Sequence, residues 1–304
     1  MPSKESEAVK RHWAAARLTS QLPMAEQPDR ETADHTWAGL TSEPRDVDYL
    51  SVGEVSALWI VPKDAVPDRV LLCMHGGGFV GGSIHSHRKM FGHLAKAVGA
   101  RALVFDYRLV PEHTYPAQLD DAIAVYRWLL DQGIDPARIV FAGDSVGGGL
   151  AITTQLRARS DGLPLPAASL LFSPCVDMEL TGDSYDANRD RDAFFHRELV
   201  RELVAMYVGP GGDLRDPLVN PLYGDLTGFG PTYIQAGGDE ALVDDARMLY
   251  ELARKAGVEA RLDVFPDMQH TFQMAAGRVP EADDAIQRMA AWVRPLLGLP
   301  RWEA

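Results

Sequence analysis

The chain has 304 residues, 46% of them hydrophobic and 24% charged, which suits one large or two modest globular domains with a substantial core. Its net charge of −13 argues against nucleic acid or an anionic membrane as a partner. The start, Met1-Pro-Ser-Lys-Glu-Ser-Glu7, has no apolar secretory core, and no apolar run nears the ~20 residues of a membrane helix. A soluble cytoplasmic protein is expected. Cys73 and Cys175 lie in apolar strand-like runs and read as small buried hydrophobes, not as a disulfide.

In chain order, residues 1–45 read as partly helical. Val9, Trp13 and Ala16 fall at helical spacing, and a polar stretch at 28–31 separates them from Trp37 and Leu40. Two strands, 47–52 and 57–61, follow as a hairpin through Gly53-Glu54. A third strand, 69–74, is continuously apolar from Val70 to Met74. The chain then alternates: helix 87–98, strand 102–107, helix 116–130, a strand ending at Ser145 with its helix, and strand 168–172. After an interruption at 176–222 come strand 232–236, helix 242–256, strand 261–265 and a last helix. Ala285, Met289, Trp292, Val293 and Leu296 recur on one face of that helix. Apolar strands alternating with amphipathic helices predict a mostly parallel sheet covered on both faces, with right-handed crossovers. The interruption has an apolar-rich helical part around Phe194 to Tyr207 and ends at Gly209-Pro-Gly-Gly-Asp213, which suggests a helical lid, with an ordinary crossover helix as the alternative.

The chemistry centres on Gly143-Asp-Ser-Val-Gly147, set between an apolar strand and a helix. A serine at such a turn is held in a strained conformation that its flanking glycines permit, with its hydroxyl exposed above the sheet. The helix that follows points N-terminal amides at negative charge. His75-Gly-Gly-Gly-Phe79 directly follows the third strand. Its uncovered backbone amides suit an oxyanion, whereas His75 itself reads as a structural hydrogen-bonding residue. Asp239 ends one strand and His270 follows the last, so Ser145, Asp239 and His270 stand in the chain order of α/β-hydrolases. In that reading Ser145 attacks, His270 relays the proton and Asp239 fixes the imidazole. Asp244 and Asp245 fall inside the next helix, Asp267 shapes the turn before His270, and Asp144 and Glu240 are expected to make local hydrogen bonds. His85, His87 and His93 have no Cys or acid at ligand spacing, which argues against zinc.

From about Leu71 onward the chain resembles the hormone-sensitive-lipase family of esterases, family IV of the bacterial lipolytic enzymes. The carriers are His75-Gly-Gly-Gly-Phe79, Asp106-Tyr-Arg-Leu-Val-Pro-Glu-His113 with Tyr115-Pro-Ala117, Gly143-Asp-Ser-Val-Gly-Gly148, Asp216-Pro-Leu218 with Asn220-Pro221, and His270-x-Phe272. The resemblance implies a single α/β-hydrolase domain over 1–304, capped by about 1–45 and 176–222. It also implies an oxyanion hole from the amides of Gly77, Gly78 and Val146, and a structural role for residues 106–113. Val146 stands where the family commonly has alanine, Glu240-Ala241 where Pro-Leu often follows the acid, and Thr271 where a small residue is usual.

The expected function is serine carboxylester hydrolysis through an acyl-enzyme, on neutral short- to medium-chain esters, with lactones fitting the same chemistry. Phe79, Phe194, Phe195, Met206 and Tyr207, with Trp13 or Trp37, would line an apolar pocket. No cofactor or metal is implied, and the partners expected are a small ester and a second copy of the chain as a homodimer. Amide or peptide hydrolysis is the enzymatic alternative. A ligand-binding protein is the other, since plant gibberellin receptors resemble the same family but lack the catalytic histidine.

Overall fold

The structure, a computed structural model, describes residues 2–21 and 28–301. Residues 1 and 22–27 of the segment expected to contribute to a cap lie outside the described residues. In chain order the elements are α1 (Glu7–Ser20), α2 (Arg30–Ala38), β1 (Val47–Val52), β2 (Ala57–Pro62), β3 (Val66–Met74), α3 (Ile84–Val98) and β4 (Ala100–Phe105). Then come α4 (Ala117–Asp131), β5 (Ile139–Asp144), α5 (Val146–Ser160), β6 (Ala168–Phe172), α6 (Ser184–Ala187) and α7 (Arg197–Val208). The chain closes with β7 (Thr232–Gly237), α8 (Val243–Lys255), β8 (Ala260–Phe265) and α9 (Pro280–Val293).

Among the described residues the strands form one sheet in the order β1-β2-β4-β3-β5-β6-β7-β8. β1 and β2 pair antiparallel, β2 joins β4 antiparallel, and all pairings from β4 to β8 are parallel. This is the α/β-hydrolase architecture. The central parallel strands are largely apolar where both of their faces are buried, as from Val70 to Met74 of β3, whereas the edge strand β8 carries Arg261 and Asp263 and is half-buried. Val70, Leu72 and Met74 of β3 face one core with Ile139 and Phe141 of β5. Leu71 and Cys73 face the other with Val140 and Ala142. That is the two-residue alternation of a strand serving two helical layers. α3 and α9 supply Phe91, Leu94, Ile286 and Met289 to the second core. α4, α5 and α8 supply Leu119, Leu150 and Leu249 to the first. Cys73 and Cys175 are free and buried.

The strand and helix ranges differ from the sequence expectation by a few residues at their ends, where local pattern is weakest. Residues 176–222 hold more turn than the expected lid helix suggests. α6 is four residues long, and α7 starts only at Arg197. His196 precedes α7 as its N-cap, with its ring accepting from the Leu199 amide. Phe194 and Phe195 therefore stand in the loop ahead of α7 and not on its face. No helix among the described residues is long and apolar enough to cross a membrane.

Candidate active site

Parallel strands all end on one edge of the sheet, and four of them deliver polar side chains there. Ser145 directly follows β5 and caps α5 at φ 53°, ψ −125°. A non-glycine residue with positive φ costs about 1–3 kcal/mol and persists only where its surroundings fix it. The Ser145 amide donates to Phe172 O on the neighbouring β6, and Ser145 O accepts from Cys175 N, each at 2.9 Å. A Cβ on Gly147 would stand 2.1 Å from Met74 O, so only glycine lets α5 start so close to β3.

His270, in the loop after β8, places Nε2 2.9 Å from Ser145 Oγ. Its other ring nitrogen, Nδ1, stands 3.1 Å from Glu240 Oε2. The acid beside the imidazole is therefore Glu240 and not Asp239, which corrects the sequence assignment. The turn after β7 decides between the two neighbours. The Asp239 amide donates to Met268 O, and its carboxylate turns outward into an ion pair with Arg191. Glu240 turns inward and is completely buried. Ala241-Leu242 then follow the acid as Pro-Leu does in the family, one residue later than the register assumed from the sequence. Burial opposes charging of His270, but the hydrogen bond and charge of Glu240, with Asp192 and Asp144 beyond, outweigh it and raise its pKa. The indole Nε1 of Trp13 donates to His270 O at 2.9 Å, and the Phe195 ring lies 4.4 Å from the imidazole.

The glycine loop after β3 bends through positive φ at Gly77 (118°), Gly78 (62°) and Phe79 (60°). Asp144, expected to bond locally, instead supports this loop from beneath. Its Oδ1 accepts from the Gly76 amide at 2.9 Å, and its Oδ2 lies 3.3 Å from the buried His87 Nε2. His75 is buried and stacked on Tyr107, with ring centroids 4.2 Å apart. Burial pushes its pKa down to about 4, with the neighbouring His87 acting the same way. Tyr107 Oη donates to His75 O at 2.7 Å, and Asp106 Oδ1 accepts from Ile84 N at 2.9 Å. Tyr107 thus braces the start of the glycine loop, and Asp106 the start of α3. From sequence His87 is weighed only as a metal ligand; its pairing with Asp144 is missed because that partner is 57 positions away and nothing in its own helix signals it.

A cleft of about 770 Å³ opens over Ser145 and His270 and is lined by Trp13, Trp37, Gly77, Gly78, Phe194 and Met206 among others. On the other side of Ser145 an inner recess of only about 20 Å³ is bounded by Gly78, Phe79, Val146, Leu203, Val204 and Tyr207. Phe79 and Tyr207 stack at 4.1 Å and close its end. The expected aromatic pocket is therefore two spaces: Phe194 and Met206 border only the cleft, Phe79 and Tyr207 only the recess, and Phe195 borders both. Thr271 also lines the cleft and is buried.

The family model describing the α/β-hydrolase fold matches residues 71–274. An acetyl-hydrolase of Streptomyces hygroscopicus is 38% identical over 268 residues, 88% of each chain. The carboxylesterase NlhH of Mycobacterium tuberculosis is 36% identical over 272 residues, 84% of this chain and 83% of its own. A crystal structure of an esterase from the bacterial hormone-sensitive lipase family superposes with a TM-score of 0.90 at 40% identity. It covers 98% of this chain and 100% of the esterase.

Proposed function

The chain belongs to the hormone-sensitive-lipase family of α/β-hydrolases and is a carboxylesterase, and from that premise we propose that it works through Ser145, His270 and Glu240 on esters of short acyl chains. Ser145 Oγ attacks the acyl carbon while His270 Nε2 takes its proton and returns it to the departing alkoxide. A water activated by the same imidazole then hydrolyses the acyl-enzyme. Glu240 orients the ring through Nδ1 and stabilises the imidazolium formed in each step. The amides of Gly77, Gly78 and Val146 are the proposed oxyanion donors, and residues 1–45 with 176–222 the cap over a single hydrolase domain.

The Ser145–His270–Glu240 chain of contacts, 2.9 and 3.1 Å long and largely buried at the floor of the cleft, is the observation that carries this reading. The unequal spaces beside Ser145 support the substrate class. A recess of about 20 Å³ holds about one water-sized group, so it suits an acetyl methyl. The wide apolar cleft suits a bulky neutral alcohol. Hydrolysis of p-nitrophenyl esters from acetate to palmitate, by wild type and Ser145→Ala, tests the proposal. Serine-dependent turnover falling beyond the shortest acyl chains is expected. Turnover that survives Ser145→Ala refutes the mechanism, and a folded protein inert on all esters but active on lactones or amides refutes the substrate class.

A further inference from the structure

A short strap of the cap insertion, residues 188–195 ahead of α7, meets the catalytic loops, and Ser184 Oγ of α6 donates to Ala241 O beside it at 2.6 Å. Asn188 Nδ2 donates to Gly238 O at 3.1 Å and to Glu240 O at 2.8 Å. Gln269, the neighbour of His270, joins the same strap from the other side. Its Oε1 accepts from Ala193 N at 2.8 Å, and its Nε2 donates to Arg191 O at 3.0 Å. At the centre lies Asp192, 3% exposed. Its Oδ1 accepts from the amides of Phe194 (2.9 Å) and Phe195 (2.8 Å), and its Oδ2 from the Ala241 amide at 2.7 Å. One carboxylate thus holds the residue after Glu240 and the aromatic residue whose ring lies against His270.

We infer that Asp192 is a positioning residue of the reaction, fixing the Glu240–His270 pair by tying the cap strap to the loop that carries Glu240. The inference rests on the assignment of Ser145, His270 and Glu240 above. A mobile lid would not need such a residue. Both of its oxygens take backbone N–H donors, the pattern of a carboxylate used as a staple. Burial raises its pKa, against the pull of those three amides. The acids facing His270 are Glu240 in direct contact, then Asp192 and Asp144. From α1 its neighbour is the uncharged Trp13, and Asp239 is turned away into its ion pair with Arg191. Asp192 therefore favours the imidazolium as well as holding the loop in place. Removing its charge lowers the His270 pKa.

The test compares full-length wild type, Asp192→Asn, Asn188→Ala, Glu240→Gln and Ser145→Ala on p-nitrophenyl acetate. Folding is followed by circular dichroism, and the active-site fraction by titration with a p-nitrophenyl phosphonate. Loss of turnover in Ser145→Ala and Glu240→Gln keeps the underlying assignment; its survival in either sinks that assignment independently of Asp192. With the assignment intact, Asp192→Asn is expected to lower kcat about tenfold or more at little change in KM, and to move the acidic limb of the kcat profile to lower pH. A kcat within twofold of wild type, or a fall in kcat with the limb unmoved, overturns the positioning role. If Asp192→Asn does not fold, Asn188→Ala decides. It removes an uncharged arm of the strap, and lower kcat at constant KM with the limb in place is expected. An unchanged kcat there overturns the inference.

Discussion

Two adjacent acids follow β7, and exchanging each for its amide separates their roles. Glu240→Gln keeps the shape of the side chain but removes the charge opposite His270 Nδ1, 3.1 Å away. Two unit charges about 4 Å apart at an effective dielectric near 20 interact by ~4 kcal/mol. That stabilisation develops as the imidazole becomes protonated in the transition state. It corresponds to a loss of about 10³ in kcat, and the wrong tautomer that an amide can impose adds up to ~10-fold more. Asp239→Asn instead removes one partner of an ion pair whose Arg191 side is half exposed, which contributes about 0–1 kcal/mol. Its kcat is expected to stay within about fivefold of wild type, in line with that interaction. The assay is p-nitrophenyl acetate hydrolysis, with active sites counted by phosphonate titration so that misfolded protein does not pass for slow protein. A large loss in Asp239→Asn together with a small one in Glu240→Gln would refute the assignment.

Leu203 borders both spaces beside Ser145, and its methyls lie 3.1–3.3 Å from where a Cβ on Gly78 would stand. Leu203→Ala is expected to raise the butyrate-to-acetate ratio of kcat/KM about tenfold, near the transfer energy of two methylenes; an unchanged ratio would mean that the recess does not hold the acyl chain. Gly147→Ala forces a Cβ to 2.1 Å from Met74 O, so it should lower the melting temperature and abolish phosphonate labelling. Normal labelling would show that the elbow can relax. Asp245 is completely buried on α8, where it accepts from Val176 N, Asp177 N and Tyr185 Oη, and burial pushes its pKa up from 3.8 to about 7. Between those values the folded state keeps a proton that the unfolded chain has released. This group's contribution is thus full below pH 3.8 and fades as pH rises through about 7. Asp245→Asn can accept both amides on its oxygen and donate to Tyr185. Thermal melts across pH 5 to 8 should show a flatter loss of stability for the variant than for wild type; parallel curves would place the titration elsewhere.

Much of the molecule was legible from sequence because it is encoded locally. A strand buried on both faces reads as a nearly continuous apolar run, which is why β3 from Val70 to Met74 and β5 from Ile139 to Ala142 stood out. The turn at Ser145 announces itself through glycines that close backbone contact requires, and Gly147 against Met74 O is one such contact. His270 could be placed because it comes just after the last strand, and strand ends share one edge. Phe79, Phe195 and Tyr207 were expected near the site because one follows the glycine loop and the others fall in the apolar-rich part of the insertion expected to cover the sheet edge.

The choice between Asp239 and Glu240 was beyond such reasoning. Successive side chains leave the backbone in different directions, and which one faces His270 depends on how the turn after β7 docks on the loop after β8. The bond from Asp239 N to Met268 O and the outward pull of Arg191 settle that, and both come from segments distant in sequence. The same holds for Asp144 with His87 and for Asp192 with Ala241, where a buried carboxylate finds partners 57 and 49 positions away. Sequence determined the sheet strands, the turn at Ser145 and the place of His270 after the last strand, since each follows from the geometry of its own neighbourhood. Tertiary structure alone decided which carboxylate faces His270, the residues that hold it there and the size of the recess beside Ser145, because these depend on where separate loops meet and which side chains fill the space between them.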